Sequence, residues 1–403
     1  MSTVDYDLLV IGGGIQGAGV AQAGAAAGYN VLLLEKTAIA SATSSRSSKL
    51  IHGGLRYLES MQFGLVRKAL RERDILLRIA PELVKPVAFH IPVYKTSIRA
   101  AWKIWLGLSL YALLGGLKPL NRFQHVAVKA SENQDGLKAE GLVAEYQYWD
   151  AQTDDAALTR AVMNSAQMLG AELICPAEVI SAHYHKNSYH LRYKDHSGEK
   201  QLHCHALVNA SGPWVNQVLE KLFPQSPRLE VDLVQGTHVL LDRPAPSAIY
   251  YVEAVADKRA VFVMPWKDRT LVGTTETFFQ GEPDQVRPTE KEIQYLLSVY
   301  ADYFPGDPAE MIDSFAGVRV LPKTSGRFFN RPRDTVLHLS PPGLISLYGG
   351  KLTGYRATAK QVIAKLQVQL PEREVKADTE KLILNVTAVP LTHSPWREEG
   401  SFI

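Results

Sequence analysis

At 403 residues the chain exceeds the length over which one hydrophobic core keeps growing, so two domains or one elaborated domain are expected. A composition of 46% hydrophobic and 21% charged residues is that of an ordinary soluble globular protein, and a net charge of +3 without any Lys/Arg-rich block argues against nucleic acid as a partner. Cys175 and Cys204 stand far apart with no CxxC or Cys/His ligand spacing, so both are expected to be reduced thiols. The acidic start MSTVDYD runs straight into a strand pattern with no signal-peptide signature, which predicts a catalytic body facing the cytoplasm.

The first elements lie in Asp5 to Lys36. An apolar run, Leu8 to Ile11, leads into Gly12-Gly13-Gly14-Ile15-Gln16-Gly17; an alanine-rich helical pattern follows, then a second apolar run, Val31 to Leu34, that ends on Glu35. This strand–turn–helix–strand pattern predicts a dinucleotide cradle. Gly12 makes the tight turn, Gly14 lets backbone approach a pyrophosphate, Gly17 lets the helix pack on the strand, and Glu35 is placed to accept hydrogen bonds from a ribose. No second glycine fingerprint occurs further along. Two cases fit: an NAD dehydrogenase, or an enzyme that oxidises its substrate directly with bound FAD.

A Ser/Thr-rich loop, Ser41 to Ser48, precedes Lys49-Leu50-Ile51-His52-Gly53-Gly54-Leu55-Arg56-Tyr57, and Val66 to Leu77 has helical spacing that stops near Pro81. Ala101 to Leu117 is the most hydrophobic segment, at the lower edge of the roughly 20 residues a membrane span needs, so a true span is rejected. Arg99, Lys103, Lys118 and Arg122 flank it, and Trp102, Trp105 and Tyr111 suit a bilayer interface. Two readings stay open, a helix lying on an anionic membrane and a helix buried in the core or between subunits.

From Gln147 to Val218 helix and strand alternate. Asp154 and Asp155 open a helix through Met168 that Gly170 ends, and strands are predicted at 171–174, 189–193 and 203–209, the last running into Ala210-Ser211-Gly212-Pro213-Trp214. His203 and His205, either side of Cys204, alternate along that strand, and no metal site is expected there. Val231 to Val234, His238 to Leu241 and Val261 to Val263 predict an antiparallel sheet on the substrate side, and Thr289 to Tyr303 a helix. Leu344 to Tyr348 is a short strand entering Gly349-Gly350-Lys351-Leu352-Thr353, with a helix running on to about Leu370. The cofactor fold is thus assembled from separated segments with the substrate sheet inserted between them.

The motifs VIGGGIQGAG (10–19), ATSSRSSKLIHGGLRYLE (42–59), LVNASGPWV (207–215), VFVMPW (261–266), VGTTE (272–276), AGVRVLP (316–322) and YGGKLTGYR (348–356) run from one end of the chain almost to the other. On these residues the chain resembles the FAD-dependent glycerol-3-phosphate dehydrogenases, respiratory members of the D-amino-acid-oxidase-like flavoproteins; SSKLIHGGLRYL is the most specific segment. Two departures stand out. Val320 follows the arginine of the GVRP-type motif where a proline is usual, with Pro322 two positions on, and family members usually continue beyond this point as a helical C-terminal domain.

The resemblance implies an α/β (α+β) architecture, with a Rossmann-like FAD-binding domain built from 1–95, 146–228 and 341–370. A helical insertion covers 96–145, a β-rich substrate domain 229–340 and a tail 371–403. It implies FAD as cofactor and an enzyme that oxidises glycerol 3-phosphate by hydride transfer to flavin N5, passing electrons to quinone. Ser44, Ser45, Lys49, Leu50, Gly212, Gly350 and Thr353 join Gly12, Gly14, Gly17 and Glu35 in holding FAD. Arg333 and Arg56 are expected to bind the phosphate, with Tyr57 beside them. Arg319 and Lys351 are expected near the reacting alcohol, stabilising the alkoxide and the reduced flavin, and arginine suits phosphate because its planar fork bonds in pairs. His52 is the conventional proton acceptor by its ordinary pKa, or else a structural histidine of the flavin-facing loop. Alternatives are an FAD oxidase or dehydrogenase of a 2-hydroxy acid or amine, or a flavin subunit that needs a partner. A homodimer is left open.

Overall fold

The computed structural model describes residues 4–127, 135–323, 335–340 and 342–385. Among these residues two sheets dominate. The first has a parallel centre in the order β7 (Glu172–Ile174), β2 (Val31–Leu34), β1 (Tyr6–Ile11), β10 (Gly198–Asn209) and β19 (Leu344–Tyr348), with β18 (Val336–Ser340) antiparallel on the outer edge of β19. Residues 198–204 of β10 also pair with β9 (Ser188–Asp195), which pairs with β8 (Glu178–His185), and β11 (Leu222–Phe223) closes that edge.

Helices α1 (Ile15–Ala26), α4 (Asp155–Met168) and α7 (Tyr355–Leu366) cover one face, and the β8–β9 hairpin with the short α5 (Val215–Leu219) covers the other. β1, β2 and β19 are largely apolar without alternation because both of their faces are buried. α4 starts where an acid can cap it: Asp154 accepts from the Ala157 N–H, and Gly170, at φ +99°, ends the segment.

The second sheet runs β16 (Thr277–Phe278), β12 (Val231–Pro244), β15 (Arg269–Gly273), β14 (Ala260–Trp266), β13 (Ile249–Glu253), β4 (Val84–Tyr94), β6 (Leu142–Thr153) and β3 (Leu50–Ile51), with β17 (Met311–Pro322) on β12 and β5 (Gln124–Val126) on β6. It is antiparallel throughout except where β13 meets β4. α2 (Phe63–Ile79) and α3 (Ala101–Leu114) pack near β4 and β6, and α6 (Glu290–Tyr303), opened by a Thr289/Glu292 capping box, packs behind β12 and β15.

Here the sequence-based boundaries need correcting. β3 and β4 fall within 1–95 and most of β6 within 146–228, both read as cofactor segments, yet these strands hydrogen-bond into the substrate-side sheet. Their pairing is long-range, Val84 opposite Thr153 and Val93 opposite Ala144, and no local pattern reveals which sheet a strand will join. The closing helix ends at Leu366, short of the expected Leu370.

The two sheets meet at a buried ion pair. Lys49 Nζ lies 2.7 Å from Asp155 Oδ1, with the two side chains 2% and 0% exposed. Asp155 occupies the first turn of α4, where the helix dipole favours an acid, and also accepts from Ser47 N and Oγ. Lys49 donates to Ser45 O and lies over the rings of Trp266 and Phe315 in the second sheet. Asp155→Ala would strand the ammonium in a dry site and is expected to lower stability by about 3–5 kcal/mol in urea denaturation, with Lys49→Met/Asp155→Leu recovering most of it. A single mutant as stable as the parent would refute this.

Candidate active site

A cleft of about 1350 Å³ runs between the two sheets, from Glu35 and Lys36 at one end to Arg56, Tyr57 and Lys351 at the other. At the first end the glycine turn leaves no room for side chains. Gly12 has φ +107°, and a Cβ there would meet Ala210 O at 2.7 Å; a Cβ on Gly17 would fall 1.8 Å from Gly12 O, so helix and turn touch backbone to backbone. Gly14 is the N-cap of α1, and the Ile15 N–H donates to Ser44 Oγ. Glu35, at the end of β2, accepts from the Gly13 N–H at 2.6 Å and from Thr37 N and Oγ1, so its carboxylate is aimed along the glycine turn. A closely approached helix N-terminus with an acid at the tip of the next strand fits the pyrophosphate and ribose of a dinucleotide.

Further along, Ser45 and Lys49 form the wall, with the Lys49 ammonium committed to Asp155 and Ser45 O rather than projecting into the cleft. Leu50 is buried in β3, and Gly212 turns the chain after β10 at φ +56°. Gly350, at φ +127°, lies against Gln16, whose Nε2 donates to Lys351 O. Thr353 Oγ1 accepts from the His52 N–H at 3.2 Å. The glycine turn, the Ser/Thr loop, the His52 loop and the 349–353 turn therefore converge on one channel from four separated segments.

At the far end Lys351 Nζ lies 3.9 Å from the centre of the Tyr57 ring. Tyr57 and Arg56 sit in a 3₁₀ turn, Leu55–Leu58, that follows Gly54 at φ +76°. Gly53 anchors this turn from below: its N–H meets Tyr111 Oη at 2.9 Å, and Tyr111 donates to Asp150, itself paired with Arg73. Arg319 rises from β17, with Nη1 3.2 Å from Glu276 Oε1 and Nη2 donating to Thr275 O. Arg56, Tyr57, Arg319, Lys351 and His52 thus line one cleft, while Arg333 lies outside the described residues.

Among the lining residues that the sequence reading did not name as site residues are His238, Arg259 and Glu276. His238 is stacked on Phe315 with Nε2 3.0 Å from Ser48 Oγ, and Nδ1 is buried with no partner among the described residues. Burial, with the nearby charges of Lys49 and Arg319, pushes its pKa down to about 3, so the ring is neutral at ordinary pH. The only sequence signal was its strand position, since Lys49 and Arg319 come from distant segments.

A residue whose folded pKa is depressed in this way favours the folded state above its ordinary pKa and loses that contribution as the pH falls from about 6.5 toward 3. His238→Gln is therefore expected to flatten the acid limb of melting temperature against pH between about pH 6 and 4; identical slopes for mutant and parent would contradict it.

Comparison with known proteins shows the family and the cofactor. The model of the FAD dependent oxidoreductase family matches residues 7–356. A glycerol-3-phosphate dehydrogenase of Pseudomonas aeruginosa is 39% identical over 371 residues, 90% of this chain and 72% of that protein. A D-erythritol 1-phosphate dehydrogenase of Brucella abortus is 36% identical over 375 residues, 91% of this chain and 74% of that protein. The solved structure of a glycerol-3-phosphate dehydrogenase from Bacillus halodurans complexed with FAD superposes with a TM-score of 0.74 at 28% identity, covering 95% of this chain and 68% of that one. The chain belongs to the FAD-dependent oxidoreductase family, and it is an enzyme whose cofactor is FAD.

Proposed function

We propose that this enzyme oxidises the secondary alcohol of a small polyol phosphate, glycerol 3-phosphate before others, to the ketone, with quinone as the electron acceptor. The observation that carries the reading is the set of cations along the substrate end of the cleft: Arg56, Lys351 and Arg319 line it together with Arg259. A phosphate dianion held away from bulk water needs several fixed positive groups, whereas a neutral amine or a single carboxylate needs fewer. Bound FAD supplies the acceptor for the hydride that leaves the substrate carbon. The chain's own part is binding and charge. Arg56 meets the phosphate beside Tyr57, while Arg319 and Lys351 hold negative charge developing on the substrate oxygen. His52 is the imidazole lining the cleft that can take the hydroxyl proton, because burial and the charges of Lys49 and Arg319 make His238 a poor base.

A four-carbon polyol phosphate is a second reading, motivated by the relative named for D-erythritol 1-phosphate. The test is anaerobic addition of glycerol 3-phosphate, erythritol 1-phosphate, lactate or glycine to the FAD-loaded protein while the visible flavin band is followed. Bleaching by a polyol phosphate is expected, and bleaching by lactate or glycine alone would overturn the proposal. Arg319→Ala is expected to lower kcat at least ~100-fold with the flavin still bound; activity near the parent value would remove Arg319 from the site.

We further propose that α3 rests on an anionic membrane surface, with the catalytic body on its cytoplasmic side. No described helix is long and apolar enough to cross a membrane. α3 divides cleanly: Ile104, Leu108, Tyr111 and Ala112 are buried against the second sheet, while Trp102 is 63% exposed, Trp105 53%, Leu106 55% and Leu113 61%. Lys103 and Arg122 are exposed next to this segment, while Lys118, also exposed, pairs with Asp74 and Arg99 is withdrawn into pairs with Glu59 and Glu253. Trp102→Glu/Trp105→Glu is expected to abolish co-flotation with vesicles containing anionic lipid. Co-flotation of the double mutant at the parent level, or none by the parent, would defeat the proposal.

A further inference from the structure

We propose that Glu276 is a positioning residue that aims Arg319 at the substrate, in a frame completed by Arg259 and Glu292; the proposal rests on the polyol-phosphate reading above. An acid in the wall of a cleft that takes an anion is unexpected, because it cancels one of the cations the anion needs. Glu276 is nonetheless there, its side chain only 8% exposed. Oε1 lies 3.2 Å from Arg319 Nη1 and Oε2 lies 3.5 Å from Arg259 Nη2, so one carboxylate holds two guanidinium groups.

The loop that carries Glu276 is fixed from both sides. Arg259 Nη1 donates to the Glu276 carbonyl at 2.9 Å, which ties the loop to the hairpin of β13 and β14. On the other side Thr275 Oγ1 donates to Glu292 Oε1 at 2.8 Å, and the Thr237 N–H donates to Thr275 Oγ1. Glu292 in turn accepts from the Thr237 and Thr289 hydroxyls, so the first turn of α6 is clamped onto β12 and this loop. Arg319 Nη2 donates to Thr275 O, which places both ends of its fork on the clamped loop. The approach is close, for a Cβ on Gly236 would come within 3.2 Å of Arg319 Nη2 and 2.6 Å of Thr274 Oγ1.

The physical effect is on orientation. An arginine in an open wall samples many rotamers, and a group that must meet charge appearing only in the transition state loses effect when it wanders. Glu276 gives up some net attraction for the anion and fixes the plane of the guanidinium. Glu276 thus acts through Arg319, and its removal should reach kcat more than ground-state affinity.

The test is Glu276→Gln, which keeps size and removes charge, assayed as the FAD-loaded enzyme with the polyol phosphate that reduces the parent. A fall in kcat of ~10- to 100-fold is expected, with the flavin still bound, while inhibition by inorganic phosphate is equal or tighter because a negative charge has left the wall. Glu276→Asp should recover part of kcat. Unchanged kcat in Glu276→Gln, or a rise in KM with kcat at the parent value, would overturn the proposal. Should Glu276→Gln lose FAD or fail to fold, Arg259→Met decides: it removes one anchor of the loop and should lower kcat in the same direction, and a parent-like kcat overturns the idea. A parent enzyme that no polyol phosphate reduces defeats the functional reading instead, whatever the mutant does.

Discussion

The pairing of Lys49 with Asp155 is the constraint on which the rest of the molecule depends. An isolated ammonium or carboxylate in a dry interior is prohibitively costly, so each group fixes the other within hydrogen-bond reach. The pair joins the loop after β2 to the start of α4, and the lysine lies over rings of the second sheet. That junction ties the two sheets together at the wall of the cleft. Lys49 also lines the cleft, so the lysine of the pair that joins the sheets is part of its wall.

Local patterns in the chain carried the cofactor half of the molecule and little of the substrate half. β1, α1 and β2 are contiguous, their glycines mark a turn that only backbone can fill, and Glu35 closes the motif within one short segment. α4 was equally legible, because Asp154 and Gly170 are signals that act over a single turn of helix. The second sheet draws strands from residues 50 to 322, so alternation marked pieces of it but not their partners. The same physics hid His238, Arg259 and Glu276. Each owes its chemistry to neighbours from other segments: His238 to Lys49 and Arg319, Glu276 to Arg319 on β17 and Arg259 in the connection before β14. The specific SSKLIHGGLRYL and GGKLTGYR segments pointed to Arg56, Tyr57 and Lys351 through resemblance, and the structure brings them to one end of one cleft.

The apolar helix α3 has one side buried and one side exposed. Its hydrophobicity has no single face, since tryptophan and leucine occur all round. One side meets β4 and β6 as a core helix would; the other presents tryptophans outward. Tyr111, on the inner side, reaches Asp150 and the N–H of Gly53, so the helix with the exposed face also supports the turn that carries Arg56 and Tyr57.

The stitching of the cofactor channel bears on how the protein is made. β1 lies between β2, its near neighbour in sequence, and β10, while α1 packs against α7 and Gln16 reaches the carbonyl of Lys351, 335 positions away. During synthesis the β1–α1–β2 unit is made before its partners, so the free edge of β1 stays uncovered until residues 198–209 follow and the flank of α1 until residues beyond 350 do. Contacts of such sequence separation make folding slow, and the exposed edge during synthesis is a surface that a chaperone would hold.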